Sequence, residues 1–385
     1  MTALFGSNPR DFGQERSRRT RNIDAELAGQ FRSGASDDCC LVALGSHARF
    51  ELGPESDLDL LLLHPQGLRQ ESLDDLAQQL WYPIWDSGRR LDHSMRTPQE
   101  ARQLAACDLK VLLGLIDARA ISGDEGLLGD LRGQVLADWR GTVRRRLADL
   151  RLLVDQRIER FGFAAHMVEP DLKESYGGLR EATVLRGIAA SWLVDLPHDH
   201  WQESIPTLLD VRDALQSVSH RPGTRLLRQD QQAVADELAL PDADQLLRAV
   251  AAAARTIAYA SEVTWYRLDQ VLQRQSTWRL RRRGPVREPM AEGVVNQGGE
   301  VLLATGAPVA TDAGLPLRVA ASAAQQNLHL APQIVEQLAS SPARLPTPWP
   351  TSARQALVSL LGAGTGLVNI WEALDHTGRQ GETTL

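Results

Sequence analysis

A chain of 385 residues, 43% hydrophobic and 24% charged, has room for about two cores of ordinary domain size. Its formal net charge of −7 argues against a nucleic-acid or anionic-membrane binder, and no apolar run approaches the roughly 20 residues of a membrane span. Cys39, Cys40 and Cys107 have neither metal-ligand spacing nor a disulfide framework. Arg10, Arg16, Arg18, Arg19 and Arg21 are followed by no signal-peptide core, so a cytoplasmic protein is expected.

Residues 1–12 are expected to be disordered, and a charged helix is expected from about Phe12 to Arg32, broken by Ser33-Gly34. Leu41-Val42-Ala43-Leu44 reads as a buried strand running into the tight turn Gly45-Ser46. A second strand covers Asp57 to Leu63, an amphipathic helix kinked at Pro83 covers 70–87, and a third strand covers Arg90 to Met95. From Leu147 to about Leu272 the period is helical throughout. A basic linker is expected from Arg279 to Pro289, then a small hairpin about Gly298-Gly299, one helix over Leu317–Leu338, and a last helix from near Ser352. The division that follows is an N-terminal arm and helix (1–32), an α/β domain (33–140), a helical domain (141–278) and a C-terminal stretch (279–385).

The stretch from Gly45 to Asp59 carries chemistry. A Gly-Ser at a strand end lets backbone amides approach a phosphate, with the serine hydroxyl as a further donor. Asp57 and Asp59 stand two apart on a strand, so both carboxylates project from one face. Such a pair suits either a strand start facing solvent or a cation site, since like charges held together repel unless a cation neutralises them. Ser46 stands eleven residues before Asp57, with Arg49, Glu51, Pro54 and Ser56 between, and that combination favours the cation. Hard oxygen ligands point to Mg²⁺ completed by nucleotide phosphate. Arg49 and Glu51 suit either an ion pair that fixes the turn or a direct substrate contact. Lys173 and Arg180 flank Gly177-Gly178, where cations and open backbone can meet a triphosphate or nucleoside. Only two of the 42 basic residues are lysines, Lys110 and Lys173, which gives Lys173 added weight.

Gly45-Ser46, Arg49, Glu51, Pro54 and Ser56-Asp57-Leu58-Asp59-Leu60 resemble the signature of polymerase-β-type nucleotidyltransferases, and most closely the bacterial PII uridylyltransferase/uridylyl-removing family. Two further segments are similar to that family's motifs: Arg90 to Thr97, and Glu169-Pro170-Asp171-Leu172-Lys173 through Gly177-Gly178-Leu179-Arg180. Asp230-Gln231-Gln232 matches a looser one. The resemblance implies an α+β fold, a polymerase-β-like nucleotidyltransferase domain with a mixed sheet and flanking helices, followed by an all-helical domain. It implies Mg²⁺-dependent transfer of UMP from UTP, or AMP from ATP, to a tyrosine of the PII signalling protein, with release of pyrophosphate. Asp57 and Asp59 would hold the metal and act in catalysis with a third carboxylate, Asp92 before Asp108. Gly45, Ser46, Arg49, Ser56, Lys173, Gly177, Gly178 and Arg180 would bind the nucleotide. Glu181 stands where the family usually has aspartate. Relatives continue into an HD phosphohydrolase domain and two ACT domains. Here the one adjacent His-Asp, His198-Asp199, reads as surface, so neither removal of the nucleotide nor glutamine sensing is expected of this chain. The rival readings are an adenylyltransferase of glutamine synthetase and an inactive scaffold that binds PII or nucleotide.

Overall fold

The computed structural model describes residues 10–34, 38–197, 201–277, 287–297, 299–326, 328–330, 332–339 and 343–364, with 366–367, 370–371 and 374. Residues 1–9 of the expected arm, His198-Asp199, and residues 279–286 of the expected linker lie outside that set. The chain forms two compact units, 1–264 and 265–385.

The first unit opens with α1 (Phe12–Gly34), whose Ile23, Leu27 and Phe31 face an apolar core shared with the sheet. β1 (Cys40–Ala43) is buried throughout and runs into a four-residue helix, α2 (Gly45–Ala48). β2 (Leu58–Leu63) follows, then α3 (Gln70–Asp86), which keeps Pro83 inside it, and β3 (Leu91–Arg96). Next come α4 (Pro98–Cys107), α5 (Leu109–Ile116), β4 (Arg119–Gly123) and α6 (Glu125–Phe161). A capping box of Thr97 and Glu100 starts α4, and the Asp124 carboxylate accepts from the Gly126 amide at the start of α6.

The sheet is mixed, in the order β3-β2-β1-β4, with β2 antiparallel to β1 and parallel to β3. A parallel pair needs a crossover, which α3 supplies. The architecture is therefore α+β, as expected. The sequence reading missed β4, because Arg119-Ala120-Ile121-Ser122-Gly123 holds one strong strand former, Ile121. It also began β2 one residue early: Asp57 precedes the strand.

α7 (Leu179–Ser191), α8 (Trp201–Ser219), α9 (Gln231–Glu237) and the long α10 (Ala243–Thr277) complete the helical part, around Leu185, Leu208, Leu215, Leu246 and Ile257. Position 140/141 lies within α6, so one continuous helix serves both the sheet and the helical layer. Trp139 on α6 is fully buried and its indole N–H donates to the Gly187 carbonyl of α7 at 2.8 Å. The turn before α7 rests on glycine. Gly177 has φ +85° and an added Cβ would overlap the Ala254 carbonyl oxygen on α10.

In the second unit, β5 (Arg287–Ala291), β6 (Val294–Gln297), β7 (Glu300–Leu303) and β8 (His329–Leu330) form a four-stranded sheet in that order. The expected hairpin is β6-β7, but Arg287 to Pro289, expected as linker, belongs to an edge strand where a proline is tolerated. The expected single helix over 317–338 is two, α11 (Leu315–Gln325) and α12 (Pro332–Ala339), with β8 between them. The last helix is α13 (Thr351–Leu361). No described helix is long and apolar enough to cross a membrane.

Gly177→Ala is expected to lower stability by about 2–4 kcal/mol, through left-handed strain and overlap with backbone. Gly133→Ala, mid-helix in α6 with nothing within 4 Å of an added Cβ, is expected to raise it by about 0.5–1 kcal/mol. Denaturant melts of the two variants check both signs.

Candidate active site

Asp59 is the one acidic residue in β2, a strand whose other five residues are all buried. A strand covered on both faces reads as a continuous apolar run, and a carboxylate inside it loses solvation. Its surroundings are built around that group. Gly45 has φ +54°, and an added Cβ there would lie 2.6 Å from Asp59 Oδ2, so only glycine lets the turn and the carboxylate share this space. The Leu44 amide donates to the Asp59 carbonyl at 2.9 Å, joining the end of β1 to the strand. In the parallel register Asp59 stands opposite Asp92, which puts both side chains on one face. Burial pushes the Asp59 carboxyl above the ordinary aspartate range; Lys173 draws it down, while Asp92 and Asp57 push it further up.

The Gly-Ser turn opens α2, whose first amides have no carbonyl within the helix to bond. The Ser46 carbonyl accepts from the Glu51 amide at 2.8 Å. Behind the turn, His47 is fully buried and its Nε2 lies 2.8 Å from Asp24 Oδ1 on α1. Arg119 bonds Asp24 at 2.9 Å and donates to the carbonyls of Ala48 and His47 at 3.1 and 3.3 Å. Sequence reasoning passed over His47, Asp24 and Arg119, since residues 95 positions apart carry no shared local pattern.

The loop from Arg49 to Ser56 is clamped from several sides. Arg49 pairs with Glu51 at 2.8 Å and with Asp117 at 3.1 Å, and Asp117 also bonds Arg186 of α7 at 3.1 Å. Arg49 thus holds the loop in place. Arg212 of α8 donates to the Glu51 carbonyl at 2.7 Å, Arg19 of α1 to the Leu52 carbonyl at 2.6 Å, and the Glu55 amide to Gln216 of α8 at 3.2 Å. The Ser56 hydroxyl accepts from the Gly53 amide at 2.8 Å, a turn bond within the loop. Asp57 then emerges with its side chain 54% exposed, paired to Arg90 at 2.6 Å.

The segment Glu169–Arg180 meets this site through Lys173, which is exposed and whose charge reaches Asp59. Asp171 Oδ1 fixes the turn by accepting from the amides of Lys173 and Glu174, both at 2.9 Å, and from Thr224 Oγ1 at 2.8 Å. Arg180 pairs with Glu174 at 2.8 Å. The Gly177 amide donates to Glu181 Oε2 at 3.0 Å and the Gly178 amide to the Ser175 carbonyl at 2.8 Å. Both amides are therefore used within the turn, which departs from the expectation that they meet a nucleotide. Glu181 is fully buried and also pairs with Arg157. Asp108 lies apart from these groups in role: it caps α5, accepting from the Lys110 amide at 2.7 Å. Gln231 donates to the carbonyls of Val168 and Leu226 at 2.7 and 3.3 Å and so anchors the approach to Glu169.

Residues 144–265 match the family model described as GlnD PII-uridylyltransferase. The chain is 51% identical over 367 residues to a bifunctional uridylyltransferase/uridylyl-removing enzyme of Streptomyces coelicolor, a match covering 92% of this chain and 44% of the relative. Relatives of the same name from Mycobacterium tuberculosis (40% identical, 89% of this chain, 43% of theirs) and Corynebacterium glutamicum (33%, 88% and 47%) match as well. Over most of its length the chain is thus similar to members of the PII-uridylyltransferase family. It spans less than half the length of these relatives.

Within this family frame, the acidic groups can be tested against a divalent cation. Among the described residues no three His, Cys, Asp or Glu side chains converge to hold a metal by themselves. Mg²⁺ usually takes one or two carboxylates and completes its shell with water and phosphate. The half-buried Asp59, pushed up by desolvation and by two neighbouring carboxylates, is a hard oxygen donor whose ionised form a cation would stabilise.

A raised carboxyl pKa means that the folded chain holds the Asp59 proton more tightly than the unfolded chain. The stability this group contributes is complete below the ordinary aspartate range and is lost as pH rises through the raised value. In metal-free protein, Asp59→Asn is therefore expected to melt a few degrees above wild type at about pH 8, with the gap closing towards about pH 4. Thermal melts in chelator across that range check it.

Proposed function

We propose that the chain transfers a uridylyl group from UTP to a tyrosine hydroxyl of PII, with Mg²⁺ at Asp57 and Asp59. The observation that carries this reading is the acidic group itself: Asp59 opposite Asp92, preceded by Asp57, against the side-chain-free Gly45 of a Gly-Ser turn and within reach of Lys173. The mixed sheet with its acidic pair at the start of β2 supports a polymerase-β-like reading of the fold. The name borne by the relatives supports uridylylation, and the description of the matching family model supports PII as acceptor.

In this reading the turn amides at Gly45 and Ser46, with the Ser46 hydroxyl, hold the β- and γ-phosphates. Lys173 adds a cation over the triphosphate, and Arg180, at the start of α7, donates its backbone amide to the Lys173 carbonyl. The tyrosine oxygen forms a bond to the α-phosphorus. The bond from that phosphorus to the bridging oxygen breaks, and pyrophosphate carries away the electron pair. Asp92, on the edge strand, accepts the phenolic proton. Mg²⁺, when bound, supplies charge neutralisation for the phosphates and lowers the pKa of the attacking phenol. Arg49, Ser56, Gly177 and Gly178 act by fixing loop geometry, to judge from the bonds they make within the protein.

Asp57→Asn and Asp59→Asn are each expected to lower turnover at least ~100-fold with PII, Mg²⁺ and UTP, while melting as folded proteins. Turnover near wild type in either variant would contradict the metal assignment. Labelled UTP is expected to be incorporated into PII in preference to labelled ATP; the reverse preference would make the chain an adenylyltransferase of PII.

A further inference from the structure

Among the described residues β3 is an edge strand, with β2 as its one neighbour in the sheet. The Leu58 amide donates to the Arg90 carbonyl and the His64 amide to the Arg96 carbonyl. In a parallel pair this alternation turns the even-numbered residues of β3 towards β2 and the backbone groups of Leu91, His93 and Met95 outward. Among the described residues these three have no backbone partner beyond the β2 ladder. An open edge of this kind is normally blunted or covered, because it invites pairing with another chain.

Here the rim of that edge is aromatic. His93 is exposed and its ring lies 4.8 Å from that of Trp81, which is buried, and 5.6 Å from that of Trp85. Trp85 in turn meets Tyr82 edge-on at 5.5 Å, and these two side chains on α3 stand 46% and 55% exposed. Large exposed aromatics beside unpaired backbone are the residue types that anchor protein partners. The same strand carries Asp92 opposite Asp59, so the edge and the reaction site are continuous.

We propose that β3, with Tyr82 and Trp85, is the docking edge for the acceptor protein, which adds an extended, tyrosine-bearing segment as a further strand. This rests on the proposed uridylyl transfer and specifies how its substrate is held. Face geometry supports it: a tyrosine on the face of Asp92 and Asp59 carries its hydroxyl well clear of the backbone on the side of the acidic groups, which the short side chain of a serine does not. Side chains alternate between faces along a strand. With the tyrosine on the face of Asp92 and Asp59, its immediate neighbours in sequence lie on the opposite face, where His93 meets Trp85. The segment is thus read through its backbone by β3 and through the residues flanking its tyrosine by the aromatic rim.

Amide hydrogen exchange on the full chain, with and without unmodified PII, tests the docking directly. Exchange at Leu91, His93 and Met95 is expected to slow at least ~10-fold when PII binds, with Asp92, Ser94 and Arg96 unchanged because they already bond β2. Trp85→Ala and Tyr82→Ala are expected to raise KM for PII at least ~10-fold while leaving KM for UTP within about twofold and the fold intact. PII that is modified or bound without protection of those three amides would overturn the docking edge and leave the proposed function standing. PII that is neither bound nor modified would overturn both.

Discussion

A carboxylate inside a buried strand, against a glycine that has no side chain to give, is the constraint from which the rest of the site follows. Asp59 interrupts the apolar run Leu58 to Leu63, and Gly45 leaves 2.6 Å between its missing Cβ and Asp59 Oδ2. An isolated ionised group so placed would shed its charge or draw in a counter-ion. The chain meets that demand only in part, through Lys173 and His47, while Asp92 and Asp57 add like charge. Stability is given up at this point of the fold, as is common where a site is kept ready for a ligand.

The helical layer is part of the site. The loop between the Gly-Ser turn and Asp57 has little regular structure of its own, yet it is tied to α1, α7 and α8 by Arg19, Arg186 through Asp117, Arg212 and Gln216. Arg212 itself pairs with Asp213, and Arg16 with Asp210 and Asp213, in a cluster that is nearly all buried. Buried ion pairs add little net stability compared with apolar packing, but they fix relative position closely. Transfer chemistry that depends on orientation and charge placement needs that kind of hold. The same logic places α6 across the 140/141 position: one helix braces both the sheet and the layer that clamps its loop.

Much of this was legible in the residues, because the acidic pair, the Gly-Ser turn and the strand periods are local signals. β1, β2, β3, α1 and α3 all announce themselves in apolar spacing. What was not legible depends on partners distant in sequence. β4 is a strand only because β1 supplies its ladder, and β8 divides the expected 317–338 helix because it pairs with β7. Gly177-Gly178 suggested open amides, but Glu181 and Ser175 use them, and the requirement for glycine comes from the α10 backbone. His47 gave no sign of its burial or of Asp24, which α1 brings from 23 residues upstream. Asp108 and Asp92 were both candidates as the third carboxylate. The register opposite Asp59 favours Asp92, and a capping role accounts for Asp108.

The account turns on Gly45 and Asp59 sharing one space for a cation and a phosphate. Calorimetric titration of Mg-UTP into Gly45→Ala tests this most directly, with Gly67→Ala as control, since Gly67 is also left-handed at φ +92° but has open space around it. Both variants put a side chain on a positive-φ residue, and only the first crowds the carboxylate. The expected result is at least a ~10-fold loss of Mg-UTP affinity in Gly45→Ala, about 1.4 kcal/mol, and near wild-type affinity in Gly67→Ala. Undiminished Mg-UTP binding by Gly45→Ala would contradict the account.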